Sequence, residues 1–230
     1  VRRALNMAIN KKEIIEAHYN GEAEMHAYPM YPDWQGYFEP LDKMPASMKE
    51  LYAYDPKKAK ELLKQAGYPN GFTFKLQFCS CAPDHAELAP LLAAYLEQIG
   101  VKAELQPTEY GAFLSAMTTR KHAPGYLMNS SHTNPTTSIR KSFITGQTWN
   151  PAMYSDPASD AKMDTVHKTA DEEKRKQMLR EMTVEILDKA PYIWLPTPYV
   201  YAAWWPWMKN YGAEMSVGSI RPGPIYARIW

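Results

Sequence analysis

Residues 72–78 read FTFKLQF and residues 101–107 read VKAELQP. Each run alternates apolar and polar side chains, the pattern of a strand with one face on a core. Between them Leu88, Leu91, Leu92, Tyr95, Leu96 and Ile99 recur at helical spacing, and Gly100 closes the run. Pro90 leaves that helix's start open, because an interior proline removes a hydrogen bond. Upstream, YDPKKAKELLKQAGYPNG (54–71) predicts a helix. Asp55 is its cap, Pro56 its first turn, Ala59, Leu62, Leu63 and Ala66 its buried face, and Gly67 its stop. Downstream, 109–121 predict a short helix with Phe113, Leu114 and Met117 inward, and APGYLMNS (123–130) a third, more buried strand. Strands alternating with helices imply an α/β layer with 72–78 and 101–106 parallel. Ligands of such sheets sit beyond the carboxyl ends of the strands. Those ends are CSCAPD (79–84), PTEY (107–110) and NSSHTNPT (129–136).

Outward from this unit, VRRALNMAIN (1–10) suits a buried helix. A second helix starts at Asn10, with Glu13 placed for a capping box and Gly21 as its stop. Residues 22–54 look irregular, with four prolines among Tyr28, Tyr31, Trp34, Tyr37 and Phe38. So long a loop is usually functional or wraps the surface. A helix restarts after Asn134, and 158–170 and 172–189 read as two more. In the last, Glu172 with Lys176 and Glu185 with Lys189 are spaced for outward ion pairs. Residues 191–203 are β-prone, with Pro196 and Pro198 suggesting an edge or bulge. The expectation is one sheet shared by 72–78, 101–106, 124–129 and 191–203. GPIYARIW (223–230) is a last strand candidate.

The chain has 230 residues, 45% hydrophobic and 22% charged, which suffices for a real core. A formal charge of +1 supplies no field for nucleic acid. No run of about 18 apolar residues is present to span a membrane as a helix. Aromatic content of 13% argues against disorder. Cys79 and Cys81 are the only cysteines. They read as two plain thiols, with a strained or redox-active bridge and a metal site with His85 as the alternatives. Cys79 or Cys81 with His85 has the residue types of a thiol nucleophile and base, but the spacing matches no catalytic signature. No G-x-S-x-G, P-loop or H-E-x-x-H occurs. The chain therefore reads as a non-enzyme, with no cofactor and no metal site assigned. A protein-interaction module would use Tyr31 and Trp34 of the aromatic loop.

Four segments in order, VRRALNMAINKKEII…YNG, YDPKKAKELLKQAGYPNGF, EQIGVKAELQPTEYGAF and KAPYIWLPTPYVYAAWWPWMKNY, resemble the C-terminal half of the dipeptide/oligopeptide/nickel solute-binding proteins of ABC importers. The resemblance runs over nearly the whole chain. It implies a periplasmic-binding-protein type II-like lobe, α/β, with a mixed sheet flanked by helices. It implies that residues 1–204 are the second lobe of a two-lobed, periplasmic or extracytoplasmic protein, cut out as a domain or fragment. Residues 205–230 would return toward the first lobe, leaving Trp204, Trp205 and Trp207 at the crossing. The implied partners are a small solute or peptide, that first lobe and an ABC transporter permease, with no nucleic acid.

Peptide binders of the family commonly carry an Asp in the loop after this third strand, pairing with the ligand's amine. The matching position falls near Ser131, and no acidic residue occurs from Gly125 to Thr148. The resemblance thus points to a peptide or related solute, with an opine, sugar, metal chelate or haem as the alternative. The candidate ligand residues are Tyr126, Asn129, Ser130, Ser131, His132, Thr133 and Asn134. The competing roles are a capped helix start for Thr133 or Asn134, and interior packing for Tyr126. His132 has the chemistry to ligate a metal or pair with a carboxylate. Arg140 can clamp a carboxylate or face solvent.

Overall fold

A computed structural model describes residues 1–130, 134–199, 201, 205–207 and 209. α1 (Arg2–Ala8) buries Ala4, Leu5, Met7 and Ala8. α2 (Lys11–Glu13) runs into a π-helical turn, Ile14–His18. Asn10 caps it by accepting from the Glu13 N–H at 3.2 Å. The Glu13 carboxylate accepts from the Asn10 side-chain amide at 2.9 Å, so the expected box closes through side chains. Asn20 and Gly21 end the helix at φ 52° and 83°.

The next segment is not a bare loop. It holds β1 (Ala23–Glu24), a 3₁₀ turn at Leu41–Lys43, α3 (Ala46–Lys49) and a 3₁₀ turn at Glu50–Tyr52. Met30, Met44, Met48, Leu51 and Tyr52 are buried, with Tyr28, Trp34, Tyr37 and Phe38 packed around them. Burying this much apolar surface, rather than local propensity, orders the stretch.

α4 (Pro56–Gln65) is capped by Asp55, which accepts from the Lys58 N–H at 2.9 Å. β2 (Phe72–Cys79), α5 (Pro83–Glu97), β3 (Val101–Thr108), α6 (Tyr110–Thr118) and β4 (Gly125–Leu127) follow. α5 accommodates Pro90 in its interior. The sheet order is β3-β2-β4, all parallel. Along β2, Leu76 and Phe78 join a core formed with α1, α4 and α5. Gln77 and Tyr126, paired across the strands, take the opposite face, where Phe113 of α6 meets the Tyr126 ring. Gly125 is required by close approach: a Cβ there would lie 2.4 Å from the Phe74 ring and 3.0 Å from the Lys75 carbonyl oxygen.

α7 (Pro135–Phe143), α8 (Pro157–Lys168) and α9 (Glu172–Asp188) build a second core with the 22–54 segment and Trp194. The Glu172–Lys176 pair forms at 3.1 Å. The expected Glu185–Lys189 pair does not. Glu185 bonds Lys162 and Lys189 bonds Asp156 at 2.5 Å, because α8 lies alongside α9 and presents closer partners.

The fourth expected sheet member is also corrected. β5 (Thr197–Pro198) pairs antiparallel with β1 in a separate two-stranded sheet. Residues 191–195 are taken by α1 instead. Asn6, fully buried, donates to the Tyr192 carbonyl at 3.0 Å and accepts from the Trp194 N–H at 2.8 Å. Arg2 and Arg3 donate to the carbonyls of Ala190 and Asp188, each at 2.8 Å. Prolines 191, 196 and 198 lack the donors a central strand needs. Both strand orientations thus occur, in two small sheets flanked by helices. The 223–230 candidate and Trp204 lie outside the described residues. Trp205 and Trp207 are exposed and stack on each other at 4.8 Å.

Lys11 is 1% exposed. Its amine donates to the carbonyls of Asn6 and, at 2.9 Å, Leu51, and lies 5.8 Å from the Tyr52 ring. Burial pushes its pKa down to about 7.

Candidate functional site

β4 ends at Leu127 and α7 begins at Pro135, so the polar loop between them leaves the carboxyl end of the parallel sheet. This is the position where open α/β sheets hold ligands. Asn129 is exposed and Ser130 half-buried.

The loop is held by residues from the aromatic segment that sequence reasoning did not connect to it. The Tyr28 hydroxyl lies 3.2 Å from Ser130 Oγ and also bonds Ser142 Oγ on α7. The Tyr31 hydroxyl donates to the Ser130 carbonyl at 3.2 Å. Ser138 Oγ of α7 donates to the Pro29 carbonyl at 2.7 Å. The Tyr28–Pro29 bond is cis. Burial raises the phenol pKa of Tyr28 and pushes that of Tyr31 up to about 12, so both stay protonated. The only signal in the sequence is the density of tyrosine and proline from 28 to 40.

Asn134 caps α7, accepting from the Thr137 N–H at 2.9 Å. Its side-chain oxygen therefore has a structural partner. Tyr126 stacks on Phe113 with ring centroids 4.2 Å apart and donates to the Phe113 carbonyl at 2.9 Å. Its ring and hydroxyl both have partners on α6, and the residue is half-buried. Ser131, His132 and Thr133 lie outside the described residues. Arg140 is exposed. Tyr31 and Trp34, the proposed interaction patch, pack edge-to-face at 4.8 Å, and Trp34 leans on the second core. A shallow cleft of about 370 Å³ opens beside the start of α7, between Tyr37, Asn134, Thr136, His167 and Arg175.

At the neighbouring strand end, Cys79 and Cys81 form a disulfide, which corrects the plain-thiol reading. Local hydrogen bonds fix this corner: the Ser80 N–H donates to the Thr108 carbonyl at 2.9 Å. Buried Gln77 bridges the Thr108 hydroxyl (3.2 Å) and the Ala123 N–H (3.0 Å), tying β3 to the approach of β4. Among the described residues no group of three or more His, Cys, Asp or Glu side chains is placed to hold a metal. No described helix is long and apolar enough to cross a membrane. The arrangement presents neutral hydrogen-bonding groups, Asn129 and Ser130, beside a frame braced by Tyr28 and Tyr31.

The model of the bacterial extracellular solute-binding proteins, family 5, matches residues 1–151. The chain is 29% identical to heme-binding protein A of Haemophilus influenzae over 219 residues, 92% of this chain and 38% of that protein. It is 28% identical to glutathione-binding protein GsiB of Pectobacterium atrosepticum over 215 residues, 88% of this chain and 40% of that one. The structure is similar to the periplasmic binding protein DppA of Helicobacter pylori in complex with the peptide STSA. That match has a TM-score of 0.67 and 28% identity, and covers 86% of this chain and 37% of DppA. The chain thus spans about two-fifths of the length of these relatives.

Proposed function

Since this chain belongs to the bacterial extracellular solute-binding proteins of family 5, we propose that it is the ligand-binding second lobe of an ABC-importer binding protein for peptides or a related small solute. Residues 1–204 form that lobe in this reading, and 205–230 return toward a first lobe. The first lobe and the importer's permease are its protein partners, outside the cytoplasm. Two lobes closing about a hinge bury the solute, so each supplies part of the contact. In this reading the lobe's role toward its solute is binding rather than catalysis.

The observation that carries the reading is the placement of Asn129 and Ser130 just past the carboxyl end of the sheet, with Ser130 held by Tyr28 and Tyr31. In this reading Asn129, Ser130, Ser131, His132 and Thr133 bind the solute, beside Tyr126 on β4 and Asn134 at the cap of α7. A second reading, a non-peptide solute such as an opine, sugar, metal chelate or haem, is favoured by the absence of any acid from Gly125 to Thr148. A buried ammonium held by this lobe would lack a counter-ion there, a loss of about 1–3 kcal/mol. Native mass spectrometry of the intact two-lobed protein, purified without refolding, identifies the solute. Calorimetry with free-amine and N-acetylated peptides then separates the readings. Tight binding lost on acetylation, and traced to a contact in this lobe, refutes the second; indifference to every peptide refutes the first.

A further inference from the structure

We propose that Cys81 is a reversible thiol-capture site. A small thiolate attacks the Cys81 sulfur, the Cys79–Cys81 bond breaks, the thiol stays on Cys81 as a mixed disulfide, and Cys79 departs as a thiolate. The incoming thiol's proton goes to solvent, and one disulfide replaces another, so no external oxidant is consumed.

The bridge has little structural work to do. It encloses a single intervening residue, Ser80, and closing so short a loop removes little freedom from the unfolded chain. The ladder already holds this segment, with Cys79 paired to Thr108 and the Ser80 N–H donating to the Thr108 carbonyl. A disulfide that is dispensable to the fold and open to solvent is of the labile kind. The two ends also differ in access. Cys79 is 3% exposed and Cys81 is exposed, so an incoming thiol reaches Cys81. Cys79 is prepared as the leaving group, because the Cys81 N–H donates to its sulfur at 3.3 Å and would stay there on the thiolate.

The location adds a ligand class. Phe78 pairs with Leu127, the last residue of β4, so Cys79 follows at the end of the sheet from which the polar loop leaves. A thiol on Cys81 is therefore carried at the same end of the sheet, which suits a thiol-bearing amino acid or peptide. That last step rests on the solute-binding reading; the exchange itself does not.

The test incubates the protein, purified without reductant, with reduced glutathione or cysteine, then quenches with N-ethylmaleimide. Intact mass and peptide mapping should find one thiol on Cys81 and one maleimide on Cys79. In the single variants, Cys79→Ser should react with oxidised glutathione about tenfold faster than Cys81→Ser, since only the former leaves the accessible thiol. An adduct on Cys79, no adduct at millimolar thiol, or alkylation of both cysteines before any thiol is added overturns the proposal. Exchange and peptide calorimetry run together on the intact two-lobed protein keep the two readings apart: exchange without peptide or other solute binding defeats the solute reading, and solute binding without exchange defeats this one.

Discussion

Replacing Lys11 with methionine isolates the cost of burying an ammonium. The amine meets two carbonyls and the face of Tyr52, and no carboxylate pairs with it among the described residues. Burial lowers its pKa from 10.5 to about 7. Between those values the unfolded chain holds the proton and the folded one releases it, so stability rises with pH across that window. The full linkage between those values is about 5 kcal/mol, of which about 3 kcal/mol falls between pH 7 and pH 10. Lys11→Met removes this titration while keeping the volume. At pH 7 the methionine escapes desolvation but leaves the Asn6 and Leu51 carbonyls short of a donor, at about 1 kcal/mol each, so the variant should be near neutral or slightly stabilised. At pH 10 the wild type should have gained about 3 kcal/mol on the variant. Urea denaturation of both proteins at several pH values measures the difference, in which the tyrosine titrations cancel. Parallel stability curves from pH 7 to 10 would refute the reasoning.

Tyr28→Phe should cost about 1 kcal/mol in urea denaturation and weaken solute binding in calorimetry, because the hydroxyl joins Ser130 to Ser142. Gly125→Ala should destabilise by about 1–3 kcal/mol, since its methyl would meet the Phe74 ring, and thermal unfolding reads the loss. Asp156 caps α8 and bonds Lys189 and Ser159, which hold its carboxyl well below the usual range. Its contribution is present above about pH 4 and is lost as the pH falls below it. Asp156→Ala should cost about 1 kcal/mol at pH 7 and flatten acid denaturation followed by circular dichroism.

Elements whose signals are local were legible from sequence. Asp55 and Asn134 cap where expected, and the alternation of 72–78 and 101–107 places β2 and β3 in register. Elements whose outcome depends on distant partners were not. Residues 191–195 carry strand-like side chains, yet their backbone is claimed by Asn6, nearly the whole chain away. Lys189 sits at the correct spacing from Glu185, but spacing along one helix does not reveal the nearer Asp156. The cysteine spacing alone did not decide between thiols and bridge. For the site, the strand ends indicated where to look, whereas Tyr28 and Tyr31 stand about a hundred residues from the serine they hold. No periodicity spans that gap.

The grip of α1 on residues 188–194 has a mechanical meaning. Arg2, Arg3 and Asn6 bring the first turns of the chain against a stretch more than 180 residues later, through four hydrogen bonds of 2.8–3.0 Å. The path through the fold is therefore a loop with a narrow neck. Tension applied between residue 1 and residue 196 would be borne at that neck, while the parallel sheet stays slack.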